Sequence, residues 1–186
     1  MSAGNRTVLV ILDSRKAAER RPADQTVFAA LDHFGVAWEV LDGGDYMGAI
    51  SEFIAPRALY IIAHDGAAEW LKPEVAQQIA DAVAGGAGLV SFDRRPQEWP
   101  QALRELLPGE IGETLTGLLR FSAPSFISFG HEEGEELELG EGIAALTLPA
   151  DGRWQPLVTD AEGRAIIASA TAGTGRVVAF GTGESI

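Results

Sequence analysis

The sequence predicts an α/β fold of the flavodoxin-like, doubly wound kind: a mostly parallel sheet with helices on both faces, continued by a β-rich C-terminal extension with mixed or antiparallel edge strands. Three observations carry this expectation. Apolar, β-branched runs alternate with stretches whose apolar residues recur at helical spacing, the pattern of a parallel sheet. Those runs stop on polar residues, Asp13, Asp42, His64 and Asp93. Beyond Asp93 the helical spacing fades and short strand-like runs separated by turn residues take over.

The elements follow in order. Residues 7–12 (TVLVIL) read as a strand buried on both faces. Val27, Phe28, Leu31 and Phe34 lie at helical spacing, with Gly35 as the stop. Residues 37–41 (AWEVL) read as a second strand, closed by Asp42-Gly43-Gly44, and Ile50, Phe53 and Ile54 as a short helix ended by Pro56. Residues 58–63 (ALYIIA) make a third strand, followed by His64-Asp65-Gly66. Lys72-Pro73-Glu74 opens a helix with Val75, Ile79 and Val83 on one face, and Gly85-Gly86 ends it before a fourth strand at 88–92 (GLVSF).

After Asp93 the helix candidate is 101–107. Residues 126–129, 143–148, 155–159, 165–170 and 176–180 read as strands, with hairpin turns at 160–163 and 171–175. The 186 residues suit a single domain over 1–186, with a division into an α/β half (1–110) and a β-rich half (111–186) as the alternative. Residues 131–142 (HEEGEELELGEG) carry six glutamates and read as a solvated loop and edge strand whose charges discourage pairing, rather than a calcium loop.

Charge and composition narrow the function. A net charge of −13 disfavours nucleic acid and anionic membranes as partners. The absence of cysteine removes disulfides, thiolate metal sites and cysteine nucleophiles. No apolar run is long enough to span a bilayer and the first seven residues are not a signal peptide, so the expected location is cytoplasmic.

Two segments carry a family resemblance. Residues 74–93 (EVAQQIADAVAGGAGLVSFD) resemble the helix, glycine pair and strand leading to the nucleophile of class I glutamine amidotransferase-like domains. Residues 173–185 (GTGRVVAFGTGES) resemble the glycine turn and last strand that carry the catalytic histidine of that superfamily. Similar segments occur in catalytically silent relatives, the trimerisation-type domain of some bacterial β-galactosidases and ThuA-like proteins. The resemblance puts Asp93 where the cysteine would stand, Gly181 in place of the histidine, and Glu184 near the triad carboxylate. It sets His64-Asp65-Gly66 where oxyanion-binding glycines lie, with only Gly66 retained. Without sulfur and imidazole the thioester route is closed.

The resemblance therefore implies a non-catalytic domain: a structural, oligomerisation or ligand-binding module, with a carbohydrate-related context as the natural setting. Expected partners are another protein, other domains of a parent chain or a second copy, with a small molecule or carbohydrate as a further ligand class. No cofactor is required. The alternative is a metal-assisted hydrolase or small-molecule binder that uses Asp13, His64, Asp65 and Asp93, which all fall at strand C-terminal ends, where open α/β sheets bind ligands. Ser91 is expected to face away from the residue at its strand's tip, and Trp38, Trp70, Trp99 and Trp154 to fill core edges rather than build a sugar platform.

Overall fold

The computed structural model describes residues 7–16, 21, 23–44, 56–95, 98–109, 111–123 and 130–181. Among them nine strands form one sheet: β1 (Val8–Leu12), β2 (Trp38–Asp42), β3 (Leu59–Ile62), β4 (Gly88–Ser91), β5 (Ile111–Phe121), β6 (Glu136–Leu146), β7 (Trp154–Asp160), β8 (Ala165–Ala172) and β9 (Gly175–Phe180). Their order across the sheet is β2-β1-β3-β4-β9-β8-β7-β5-β6. The first five in that order are mutually parallel. From β9 onward every pairing is antiparallel. The last strand in sequence therefore sits mid-sheet and joins the two halves.

Among the described residues helices are few and short. A π-helical turn (Asp24–Phe28) runs into α1 (Ala29–His33), followed by α2 (Pro73–Ala84) and α3 (Gln101–Arg104). Proline at the first turn of α2, where the missing N–H has no partner to lose, and Gly85 at its end fix the bounds that the sequence suggests. Val75, Ala76, Ile79 and Val83 face the sheet and pack with Leu9, Ile11, Tyr60, Ile62, Leu89 and Val177. On the opposite face Val27 and Leu31 cover Val8, Val10, Leu12 and Ile61. β1 is buried throughout, as a strand covered on both faces must be. A third cluster, Leu119, Phe121, Ile143, Leu157, Val158, Ile166 and Ile167, belongs to the antiparallel half.

The expectation of a helix-rich, doubly wound flavodoxin-like fold is corrected by this sheet. The described residues form a mostly β, nine-stranded mixed sheet, because beyond β4 the only described helix is the four-residue α3 and β5 to β9 pair antiparallel. Two long strands account for much of the difference. β5 had no counterpart in the sequence pattern, and β6 starts seven residues before the expected 143. Both are interrupted by register shifts, between Ile111 and Thr114 and between Leu115 and Gly117, which break the alternation that reveals a strand. The helix expected over 101–107 is the shorter α3. The helix proposed around Ile50, Phe53 and Ile54 and the strand proposed at 126–129 lie outside the described residues.

Candidate functional site at the strand tips

The C-terminal ends of β1, β3 and β4 bring Asp13, His64, Asp65 and Asp93 to one edge of the sheet, all four buried. His64 is fully buried and acts as a backbone clamp. Its Nε2 accepts the N–H of Asp13 at 3.0 Å, while Nδ1 lies 3.0 Å from the carbonyl of Asp65 and donates to it. This pair of bonds assigns the neutral ring with its proton on Nδ1. The imidazole thereby ties the end of β1 to the end of β3, and its ring nitrogens are committed to main chain.

The aspartates are engaged in a common way. Asp13 Oδ1 accepts the N–H of Arg15 two residues on, at 3.1 Å, and the same guanidinium grips both carboxylate oxygens at 2.7 and 2.8 Å. These Arg15 bonds hold the Asp13 carboxyl below its ordinary range. Asp42 Oδ1 accepts from Ser14 and Gly44 N–H. Asp65 takes the N–H of Arg94 at 2.7 Å and a two-pronged grip from its guanidinium. Asp160, at the β7–β8 turn, repeats the device with Glu162 and Arg164. Asp13, Asp42 and Asp160 form aspartate turns in which the carboxylate caps the N–H two residues later, Asp65 instead caps Arg94 N–H from 29 residues away, and arginine adds charge in three of the four.

Asp93 is the exception in its electrostatics. Its Oδ1 accepts Arg95 N–H at 2.8 Å and its Oδ2 accepts the indole N–H of Trp99 at 2.7 Å. Gly66 adds a further backbone hydrogen bond. Among the described residues no guanidinium grips the carboxylate, and burial pushes its pKa up to about 6, against the pull of those donors. Ser91 does not face away from this residue. Its Oγ accepts the Asp93 N–H at 3.2 Å, since residues two apart at a strand end share a side.

Gly66 has φ +70°, a conformation that glycine adopts without strain, and its surroundings are crowded by Lys16, Glu69 and Arg95. Lys16 Nζ bonds Glu69 Oε2 at 2.5 Å and the Gly66 carbonyl at 3.3 Å, and Arg95 lies 3.8 Å from Glu69. Cations and anions are thus interleaved across the tips. Among the described residues no three His, Cys, Asp or Glu side chains gather as a ligand set for a metal ion.

Gly181 follows β9 directly. Its N–H donates to the Ile166 carbonyl at 2.7 Å and its carbonyl accepts from Ala144 N–H at 2.8 Å. A Cβ placed on it would fall inside the Ala144 carbonyl, so β6 closes this position to any side chain. The space between Asp93, Ser91, Leu107, Pro108, Leu146 and Phe180 amounts to about 10 Å³. That holds a single water at most. Phe92 and Phe180 stack beside it with ring centroids 4.5 Å apart. Glu184 lies outside the described residues.

Of the other sequence candidates, Trp99 and Trp154 are buried and Trp70 packs against the core, while Trp38 stands at the sheet edge. His131 stacks on Phe121 at 4.2 Å and pairs with Glu135 at 3.1 Å. Sequence reasoning missed Arg15, Arg94, Arg95 and Trp99, which complete the site. The signal was present in the Asp-x-Arg spacing of 13–15 and 93–95.

The class defined by this geometry is a mixed-sheet domain whose strand-tip polar groups bond to one another. No family model matches the chain, and no curated protein matches it. Solved structures do. A ThuA-like protein from Bacteroides uniformis superposes with a TM-score of 0.66 at 11% identity, over 100% of this chain and 84% of that one. A β-galactosidase from the haloarchaeon Halorubrum lacusprofundi gives 0.61 at 16% identity, over 100% of this chain and 29% of the galactosidase. A cytoplasmic protein from Salmonella typhimurium gives 0.58 at 14% identity, over 94% and 86%. The chain also spans only 31% of an exo-β-1,4-mannosidase that it resembles. At these identities the likeness is one of fold. Among the described residues no helix is long and apolar enough to cross a membrane.

Proposed function

We propose that the chain is a non-catalytic, amidotransferase-like domain that serves as a structural and self-associating module, in a carbohydrate-related setting and as a single domain over 1–186. The observation that carries this reading is the state of the crevice at β4 and β9. Asp93, in the place that the resemblance gives the nucleophile, is itself an anion lodged among donors: Gly66 N–H, Arg95 N–H and the Trp99 indole. A donor of the kind that would stabilise a reacting oxyanion is spent on a resident carboxylate. Gly181, in the place of the base, has no room for an imidazole.

The carbohydrate setting is supported by the likeness to parts of a β-galactosidase and an exo-β-1,4-mannosidase, of which this chain matches under a third. A domain of this kind contributes surface rather than turnover. The test is an assay of the purified protein on amide, ester, phosphate-ester and glycoside substrates beside an Asp93→Asn variant. The reading expects both to be indistinguishable from buffer. Turnover in the wild type that the variant abolishes would overturn it and favour hydrolysis by Asp13, His64, Asp65 and Asp93.

A further inference from the structure

The two edges of the sheet are built differently. β6, at one edge, carries Glu136, which pairs with Arg120 at 2.6 Å, and the exposed Glu138, whose charge disfavours a second strand. β2, at the other, pairs with β1 alone among the described residues and has the sequence Trp-Glu-Val-Leu-Asp, with no lysine or proline. Its acids do not guard it: the Glu39 carboxylate bonds to buried Arg57 at 2.7 Å, and Asp42 caps the Ser14 and Gly44 N–H groups. Trp38 and Val40 are each 36% exposed, and Phe34 at the end of α1 is 76% exposed.

The backbone directions follow from the pairing. Val8 N–H donates to the Ala37 carbonyl and Gly43 N–H to the Leu12 carbonyl, so odd-numbered residues of this segment address β1. Alternation then turns the N–H and C=O of Trp38 and Val40 outward.

We propose that β2 is the seam of a symmetric dimer, in which two copies pair antiparallel about Val40 and join their sheets. This deepens the self-association reading above and rests on it. The register is self-complementary. With Val40 on the two-fold axis, Val40 meets Val40 of the second copy and exchanges both backbone hydrogen bonds with it. Trp38 falls opposite Asp42 of the second copy, and Glu39 opposite its Leu41. No like charges oppose each other in this register, although the strand is acidic, and the apolar stripe of Trp38 and Val40 continues on the same face of both copies.

At β6 an antiparallel pairing about the exposed Glu138 would set that carboxylate against its own copy, which commits the proposal to β2. Because each copy carries a net charge of −13, long-range repulsion opposes the dimer, and association strengthens with added salt rather than weakening.

Sedimentation velocity over a concentration series, on wild type and Val40→Lys, tests the seam. A lysine there faces its own copy across the axis while pointing into solvent in the monomer. The expected result is a wild-type dimer and a folded variant whose dissociation constant rises at least about tenfold. A second measurement uses the absence of cysteine. Val40→Cys supplies the only thiol in the chain, and directly opposed residues of such a pair lie about 5.5 Å apart, within disulfide reach.

Mild oxidation is expected to crosslink Val40→Cys but not Leu118→Cys, an exposed control on β5. A wild type that stays monomeric across the series, an oligomer that Val40→Lys leaves intact, or equal crosslinking of the two cysteine variants overturns the seam. None of these results touches the crevice, so the non-catalytic reading stands or falls separately on the turnover assay.

Discussion

Among the described residues no guanidinium bonds the Asp93 carboxylate, and burial makes its charge costly to the fold. Its pKa of about 6 lies above the ordinary value of 3.8. The folded state therefore binds the proton more tightly than the unfolded chain. Stability from this group is complete below pH 3.8 and falls as pH rises through about 6, opposite to the usual aspartate. A shift of that size corresponds to roughly 3 kcal/mol at most. Urea unfolding of wild type and Asp93→Asn between pH 4 and 7 should show the wild type losing stability relative to the variant across that window. A difference independent of pH would contradict the assignment. Asp13 behaves conversely, because Arg15 holds its carboxyl below the usual range and its contribution is lost only on further acidification.

At the level of elements, the reach of β6 over the tip of β9 decides what the crevice can be. The Ala144 and Ile166 carbonyls crowd Gly181 from two strands, so even a methyl group there must push backbone aside. Gly181→Ala should cost at least about 2 kcal/mol, read as a lowered melting temperature, and an unchanged temperature would contradict the close approach.

This contact also marks what the sequence could and could not reveal. β1, β3, β4 and α2 were legible because buried strands are continuous apolar runs and α2 has a proline start, a glycine stop and one apolar stripe. β5 was not, because its register shifts break the pattern, and β6 was read only in pieces, as an edge strand within 131–142 and a separate strand from 143, because Gly140 and Gly142 interrupt its alternation. The polar strand ends at Asp13, His64 and Asp93 were visible in sequence. The engagement by Arg94 and Trp99 was not, since Arg94 reaches Asp65 from 29 residues away and Trp99 bonds Asp93 from six residues on, pairings that no short spacing announces.

Across the whole molecule, one sheet carries a crevice filled by its own side chains at the strand tips and an unguarded edge at β2. The first leaves about 10 Å³ of space beside Asp93; the second turns the backbone of Trp38 and Val40 outward. The strand-tip carboxylates are already satisfied, Asp13 by Arg15, Asp65 by Arg94 and Asp93 by Trp99 and main-chain donors. Calorimetric titration with Mg²⁺, Mn²⁺ and Zn²⁺ tests this most directly, because a divalent ion at these tips must displace a guanidinium or an indole donor. No saturable heat that depends on these residues is expected. A stoichiometric site that Asp65→Asn or Asp93→Asn abolishes would contradict this.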